Sequence, residues 1–158
     1  MSAIARLAEL GLELPPVVPP VAAYVPAVRS GDLVFTSGQL PVVEGRMAVT
    51  GKVGALVTPE QAKDIARTCA LNALAAIDAL VGLDAVERVV KVVGFVASAP
   101  DFTGQPGVVN GASELLGDVF GGGEDGAGQH ARSAVGVASL PLDAPVEVEL
   151  VVQLAAGS

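Results

Sequence analysis

The sequence has no tryptophan, one cysteine and one histidine among 158 residues. A lone Cys69 can form no intrachain disulfide, which fits a reducing compartment and sets the expectation of a cytoplasmic protein. One histidine and one cysteine far apart in sequence cannot supply a zinc ligand set, so no metal is expected. Basic residues are scarce: 9 Lys and Arg against 17 Asp and Glu give a net charge of -8 and a pI near 4.4. They are scattered and form no basic stripe. A chain with this balance repels phosphate backbones, so nucleic acid is not expected as a partner. No stretch of about 18 uncharged apolar residues occurs, so no membrane span is expected. The longest uncharged helical run, residues 68–77, is too short. Residues 1–14 carry Arg6, Glu9 and Glu13 and do not read as a signal peptide.

What is present is aliphatic. Hydrophobic residues make up 51% of the chain and aromatics only 3%. The core must therefore be built from Val, Leu, Ile and Ala. The length fits one domain, and the apolar surplus in so small a chain suggests burial between subunits.

Hydrophobic spacing and turn residues divide the chain. Ile4, Leu7, Leu10 and Leu14 predict a short amphipathic helix over residues 2–14. Pro15, Pro16, Pro19 and Pro20 then impose an extended connection, so residues 1–20 read as an N-terminal extension to a domain spanning 21–158. Residues 21–29 and 32–37 read as strands joined by a tight turn at Ser30-Gly31. Glu44-Gly45 marks another turn, followed by a short strand over 46–49. Thr58 is a good N-cap, with Pro59 and Glu60 behind it, and predicts a helix to about Leu80 that stops at Gly82. Residues 86–99 are rich in β-branched side chains and read as a long strand. Pro106 and Gly107 precede a second helix over about 108–120. Residues 121–128 form a loop, and 131–138 and 146–153 are closing strands. The predicted class is α+β, a sheet covered on one face by helices. Along the last strand Val146, Val148 and Leu150 point one way, and Glu147, Glu149 and Gln153 the other.

Few residues offer chemistry. Residues 121–126 match G-x-G-x-x-G only formally. They follow a helix and precede a strand, the reverse of a dinucleotide site, and they carry two carboxylates. A surface loop is the better reading. His130 is without a nucleophile elbow around any serine. Arg132 lies in a strand-like stretch and should share its face with the small residues Ala134 and Gly136. From there its planar fork can grip a carboxylate, although pattern alone favours an edge-strand arginine in solvent. Cys69 sits on the apolar helix face and reads as a buried hydrophobe. Glu147 and Glu149 read as a solvated strand face from which a carboxylate can also orient water.

Several short motifs occur together in order. They are Tyr24, then Val34-Phe35-Thr36-Ser37-Gly38-Gln39-Leu40-Pro41, then Asn110, Ala131-Arg132-Ser133, Leu140-Pro141 and Val146-Glu147-Val148-Glu149. Over roughly residues 21–154 the chain resembles the Rid (reactive intermediate deaminase) family, also labelled endoribonuclease L-PSP. That resemblance implies a chorismate-mutase-like α+β fold, with a mixed sheet, two helices on one face and a homotrimer with a pocket at each subunit interface. It implies hydrolysis of 2-imino acids or their enamine tautomers to 2-keto acids and ammonia, with no cofactor. In this scheme Arg132 holds the substrate carboxylate. Glu149 and a backbone carbonyl near Ala134 orient the attacking water, and Tyr24, Ser37, Asn110 and His130 line the pocket. Two positions depart from the pattern of deaminating members: Ala134 stands where cysteine is frequent, and His130 where proline is. The alternatives are a trimer that binds a small carboxylated molecule without turnover, and a pathway-specific enzyme using the same pocket. The acidic balance counts against a ribonuclease.

Overall fold

A computed structural model describes all residues 1–158. The chain order is α1 (Ala3–Glu9), β1 (Ala27–Ser30), β2 (Leu33–Thr36), β3 (Val42–Val43), β4 (Arg46–Met47), α2 (Pro59–Val81), β5 (Val86–Ala97), α3 (Gln105–Phe120), β6 (Ala131–Val137) and β7 (Val146–Leu154), with 3-10 turns at Leu83–Ala85 and Pro141–Asp143.

The start of α2 follows from its sequence. The Thr58 hydroxyl accepts from the Gln61 amide, and the Gln61 side chain accepts from the Thr58 amide, closing a capping box ahead of Pro59. The helix stops at Gly82, which adopts a positive φ of 81°. The first helix is shorter than its apolar spacing predicts. Gly11 takes φ +69°, and the bonds Gly11 N to Ala8 O and Leu12 N to Leu7 O close it off after Glu9. No strand forms over residues 21–26, where Pro26 cannot donate to a ladder. The β1–β2 turn is centred one residue later than expected, because Ser30 pairs with Leu33 and leaves Gly31-Asp32 as the loop. β4 spans only two residues and β5 ends at Ala97. α3 begins at Gln105 and takes in Pro106 and Gly107, since a proline in the first turn forfeits no helical hydrogen bond.

Five strands form one sheet in the order β1-β2-β7-β5-β6, and β3-β4 form a separate hairpin. Every pairing in the large sheet is antiparallel except β5 with β6. β7 occupies the centre, between β2 and β5. Its alternation is the expected one: Val146, Val148, Leu150, Val152 and Leu154 are buried, and the residues between them are half-buried on the other face.

The two long helices cover one face only. Val92, Val96, Val148, Leu150 and Val152 of the sheet meet Ala66, Ala70, Leu74 and Ile77 of α2 and Val109, Leu115 and Leu116 of α3 in a single aliphatic core. Each fully buried Val or Leu contributes about 1.5–3 kcal/mol over an exposed one. α1 joins this core through Leu7, and Ile4 N donates to Asp84 Oδ1. The fold is thus α+β, a mixed sheet with helices packed on one side. On the uncovered face Val28, Phe35 and Val135 are each more than 40% exposed.

Candidate functional site

The site begins with an edge strand. β6 pairs only with β5, in parallel, with Val92 opposite Arg132 and Gly94 opposite Ala134. Val92 is buried under the helices, so Arg132 points to the helix-covered side.

Two glycines bring α3 close enough to meet it. A Cβ on Gly94 would lie 2.4 Å from Val109 Cγ2, and one on Gly111 would lie 1.9 Å from the Lys63 carbonyl oxygen. Without side chains at these positions, α3 packs tightly on both β5 and α2. Asn110 and Ser113, three residues apart on the same helical face, are then presented to β6.

The guanidinium is held by three groups of α3. Arg132 Nη1 donates to Asn110 Oδ1 at 2.8 Å and to Ser113 Oγ at 3.2 Å, and Nη2 donates to the Pro106 carbonyl at 3.3 Å. Both Nη1 hydrogens are therefore engaged. Nε has no partner within the fold and Nη2 has one, so an N–H on each of two adjacent nitrogens is left for a ligand. His130 reaches the same hydroxyl: its Nε2 lies 2.9 Å from Ser113 Oγ, and its Nδ1 lies 2.7 Å from the Gly128 carbonyl oxygen. Arg132, Asn110, Ser113 and His130 thus form one connected polar cluster.

A second group gathers near β1 and β2. The Ser37 hydroxyl donates to the Val25 carbonyl at 2.6 Å, and Tyr24 Oη accepts from the Val21 amide at 3.2 Å. Gly38 has no side chain, and the carboxylate end of Glu147 occupies the space a Cβ would need. Burial pushes the Glu147 carboxyl above its usual range, and the neighbouring Glu149 charge adds to the shift. Beneath the sheet Cys69 is fully buried, with Sγ 3.5 Å from the Val146 carbonyl oxygen. Its thiol is held well above the usual value, first by burial and then by Glu147.

The structure therefore brings together Arg132, Asn110 and His130, and separately Tyr24 and Ser37. It does not bring Glu149 to Arg132 within one chain. Glu149 alternates with the buried Val148 and Leu150 and lies on the open face, opposite the side Arg132 takes. Ala134 follows Arg132 on the helix side of β6, against the core. Sequence reasoning missed Ser113 and the Pro106 carbonyl. The available signal for Ser113 was its position three residues after Asn110 on a largely apolar helix. No group of three or more His, Cys, Asp or Glu side chains is arranged to hold a metal ion. No helix is long and apolar enough to cross a membrane.

The family model described as endoribonuclease L-PSP matches residues 16–154, nearly the whole of this fold. The chain belongs to the endoribonuclease L-PSP family. Both polar clusters fall inside the region that defines this L-PSP membership. Among L-PSP relatives, Protein TCP17 of Trypanosoma cruzi is 46% identical over 151 residues, covering 95% of this chain and 92% of that one. The crystal structure of Atu1372 from Agrobacterium tumefaciens, a protein of unknown function, is 45% identical with a TM-score of 0.87, covering 97% of this chain and 92% of the other. Escherichia coli TdcF, solved with bound serine, is 26% identical with a TM-score of 0.60 over 89% of this chain and 93% of its own. L-PSP membership supports a general Rid-like or small-molecule-binding role.

Proposed function

We propose that the chain forms a homotrimer that hydrolyses small 2-imino acids, or their enamine tautomers, to 2-keto acids and ammonia. The observation that carries this reading is the state of Arg132. Its guanidinium is fixed by Asn110, Ser113 and Pro106, yet keeps free N–H groups on Nε and Nη2. Two donors on adjacent nitrogens match the two oxygens of a carboxylate. The serine bound to TdcF supports the same ligand class, since it carries a carboxylate next to a nitrogen-bearing carbon.

With the carboxylate on Arg132, the imine carbon is one bond away. A water oxygen adds to that carbon, and the C=N π pair moves to nitrogen, which takes up a proton. The nitrogen then takes up a second proton, the C–N bond breaks with ammonia leaving on the bonding pair, and the hydroxyl gives up the balancing proton as C=O forms. Glu149 and a backbone carbonyl near Ala134 orient the water. Because Glu149 lies on the opposite face of its own sheet, its partner is the Arg132 cluster of an adjacent copy. Tyr24 and Ser37 line the same interface pocket, beside Asn110 and His130. Imines hydrolyse readily, so positioning supplies much of the required acceleration. Bulk RNA is not the substrate in this reading, because a chain of net charge -8 offers it no basic groove.

The test generates 2-imino acids in situ with an amino-acid oxidase or a threonine dehydratase and follows keto-acid release. The native protein is expected to accelerate it. Arg132→Ala is expected to lose roughly thirty- to a thousand-fold in kcat/KM, about 2–4 kcal/mol of transition-state binding. Arg132→Lys should also be impaired, because an ammonium lacks the fork. Equal acceleration by Arg132→Ala removes the role of Arg132. No acceleration by the native protein leaves a trimer that binds carboxylates without turnover.

A further inference from the structure

His130 is held in one tautomer by its surroundings. The Gly128 carbonyl can only accept, so Nδ1, 2.7 Å away, carries the ring hydrogen when the imidazole is neutral. Nε2 then presents a lone pair to Ser113 Oγ at 2.9 Å. The hydroxyl has one hydrogen to give, and it goes to Nε2, while its oxygen accepts from Arg132 Nη1 at 3.2 Å. Protonation of His130 reverses the contact: Nε2–H donates to Ser113 Oγ, and the hydroxyl hydrogen is released from the ring. Ser113 and His130 are both only half-buried, so the freed hydrogen has open space to turn into.

We propose that Ser113 and His130 form a proton relay serving the ligand held by Arg132, with Ser113 touching the ligand and His130 acting through it. The relay rests on the reading above that a small carboxylated imine sits at Arg132. When the C–N bond breaks, the Ser113 O–H proton passes to the departing nitrogen, and Nε2–H of the imidazolium replaces it on Oγ. His130 is left neutral. It recovers a proton by the reverse path when the water-derived hydroxyl becomes the carbonyl, so the cycle consumes only imine and water. Arg132 Nη1, donating to Oγ, offsets the negative charge that builds there during transfer.

The other charged groups around His130 do not duplicate this path. Arg88 of β5 shares a surface hollow with it, and Lys91 pairs through its backbone with Ala131. Glu114, next to Ser113, is turned to Lys63 Nζ at 2.9 Å, and Glu124 and Asp125 stand exposed in the preceding loop.

The chain has a single histidine, so its imidazole nitrogens can be read by nitrogen NMR without assignment. The neutral ring is expected as the Nδ1–H tautomer, and an Nε2–H tautomer overturns the relay. Pyruvate, a 2-keto acid of the product class, should shift the His130 signals in the native protein but not in Arg132→Ala or Ser113→Ala. Signals indifferent to pyruvate in the native protein overturn it. In the imino-acid assay, Ser113→Ala and His130→Gln should each lower kcat about ten- to a hundredfold with KM within about threefold. The double variant should be no worse than the weaker single, because the two act in series. Ser113→Thr, which keeps a hydroxyl, should restore most of the rate. The dependence of kcat on His130 protonation should vanish in Ser113→Ala. If Arg132-dependent turnover survives both single variants unchanged, the relay falls and the deaminase reading stands. If the native protein shows no turnover, the deaminase reading falls and the relay falls with it, whatever the tautomer and the pyruvate response.

Discussion

Glu147 is a carboxylate whose neighbours all oppose its charge. It is half-buried on β7, fills the gap beside Gly38, and has Glu149 two residues away on the same face. Burial first, and Glu149 second, raise its pKa from 4.5. The folded state therefore binds this proton more tightly than the unfolded chain does. The resulting stability is present below the unfolded value and is lost as pH rises through the raised folded one. Ionising this group works against the fold, so Glu147→Gln is expected to raise Tm at pH 7. The gain should disappear below about pH 4.5, where the native residue is protonated in both states. Thermal unfolding at pH 4 and pH 7 decides this, and an equal gain at both would show that the charge is not the cause. Cys69 lies beneath the same strand in the reverse condition, a thiol kept neutral because burial and Glu147 both disfavour its thiolate.

Among the elements, α2 is the one the sequence marks most completely, because its signals are local. Thr58, Pro59 and Gly82 punctuate it, and its apolar stripe has a single face to bury. β7 was equally legible from its alternation. The β1–β2 region was not, because Val21, Val25 and Tyr24 look strand-like while Pro20 and Pro26 deny them a ladder. Nor can spacing reveal that β6 runs parallel to β5 or that β7 enters between β2 and β5, since partner choice depends on contacts distant in sequence. The same holds for the site. Arg132 and Asn110 came from the family resemblance, and Arg132 also stood out beside small residues, but nothing local announces that Ser113 will meet His130 from 17 residues away. α2 also fastens the loop ahead of β3: the buried Asn72 Nδ2 donates to the Leu40 carbonyl at 2.9 Å and to the Val42 carbonyl at 3.0 Å. Asn72→Ala strips both acceptors of their donor and is expected to cost about 1–3 kcal/mol. Urea unfolding measures it, and a loss below about 0.5 kcal/mol would place it among neutral surface changes and show that water replaces the amide.

For the whole molecule, the uncovered face of the sheet sets the expectation. Val28 of β1 lies opposite Phe35 of β2, which lies opposite Val151 of β7, a row of apolar side chains across three strands. Phe95 of β5 and Val135 of β6 add a second apolar pair on the same face, at the level of Glu147, while Lys91 stands opposite Val151. Such a patch, on a chain already rich in aliphatics, fits contact with further copies. Sedimentation equilibrium at micromolar concentration should return three times the 15.7 kDa chain mass, and Phe35→Glu should shift it toward the monomer. A native monomer would remove both the trimer and the interface pocket. The position of β7 bears in addition on how the protein is made. Before residue 146 emerges from the ribosome, β2 has only β1 to pair with, and β5 has only β6. The nascent chain therefore holds two unconnected ribbons until its last strand slots between them as a keystone, with pairings such as Leu33 to Gln153 closing across most of the chain. Two aliphatic ribbon edges must wait throughout synthesis, so premature termination ahead of β7 would yield a sticky product with no sheet for α2 to cover.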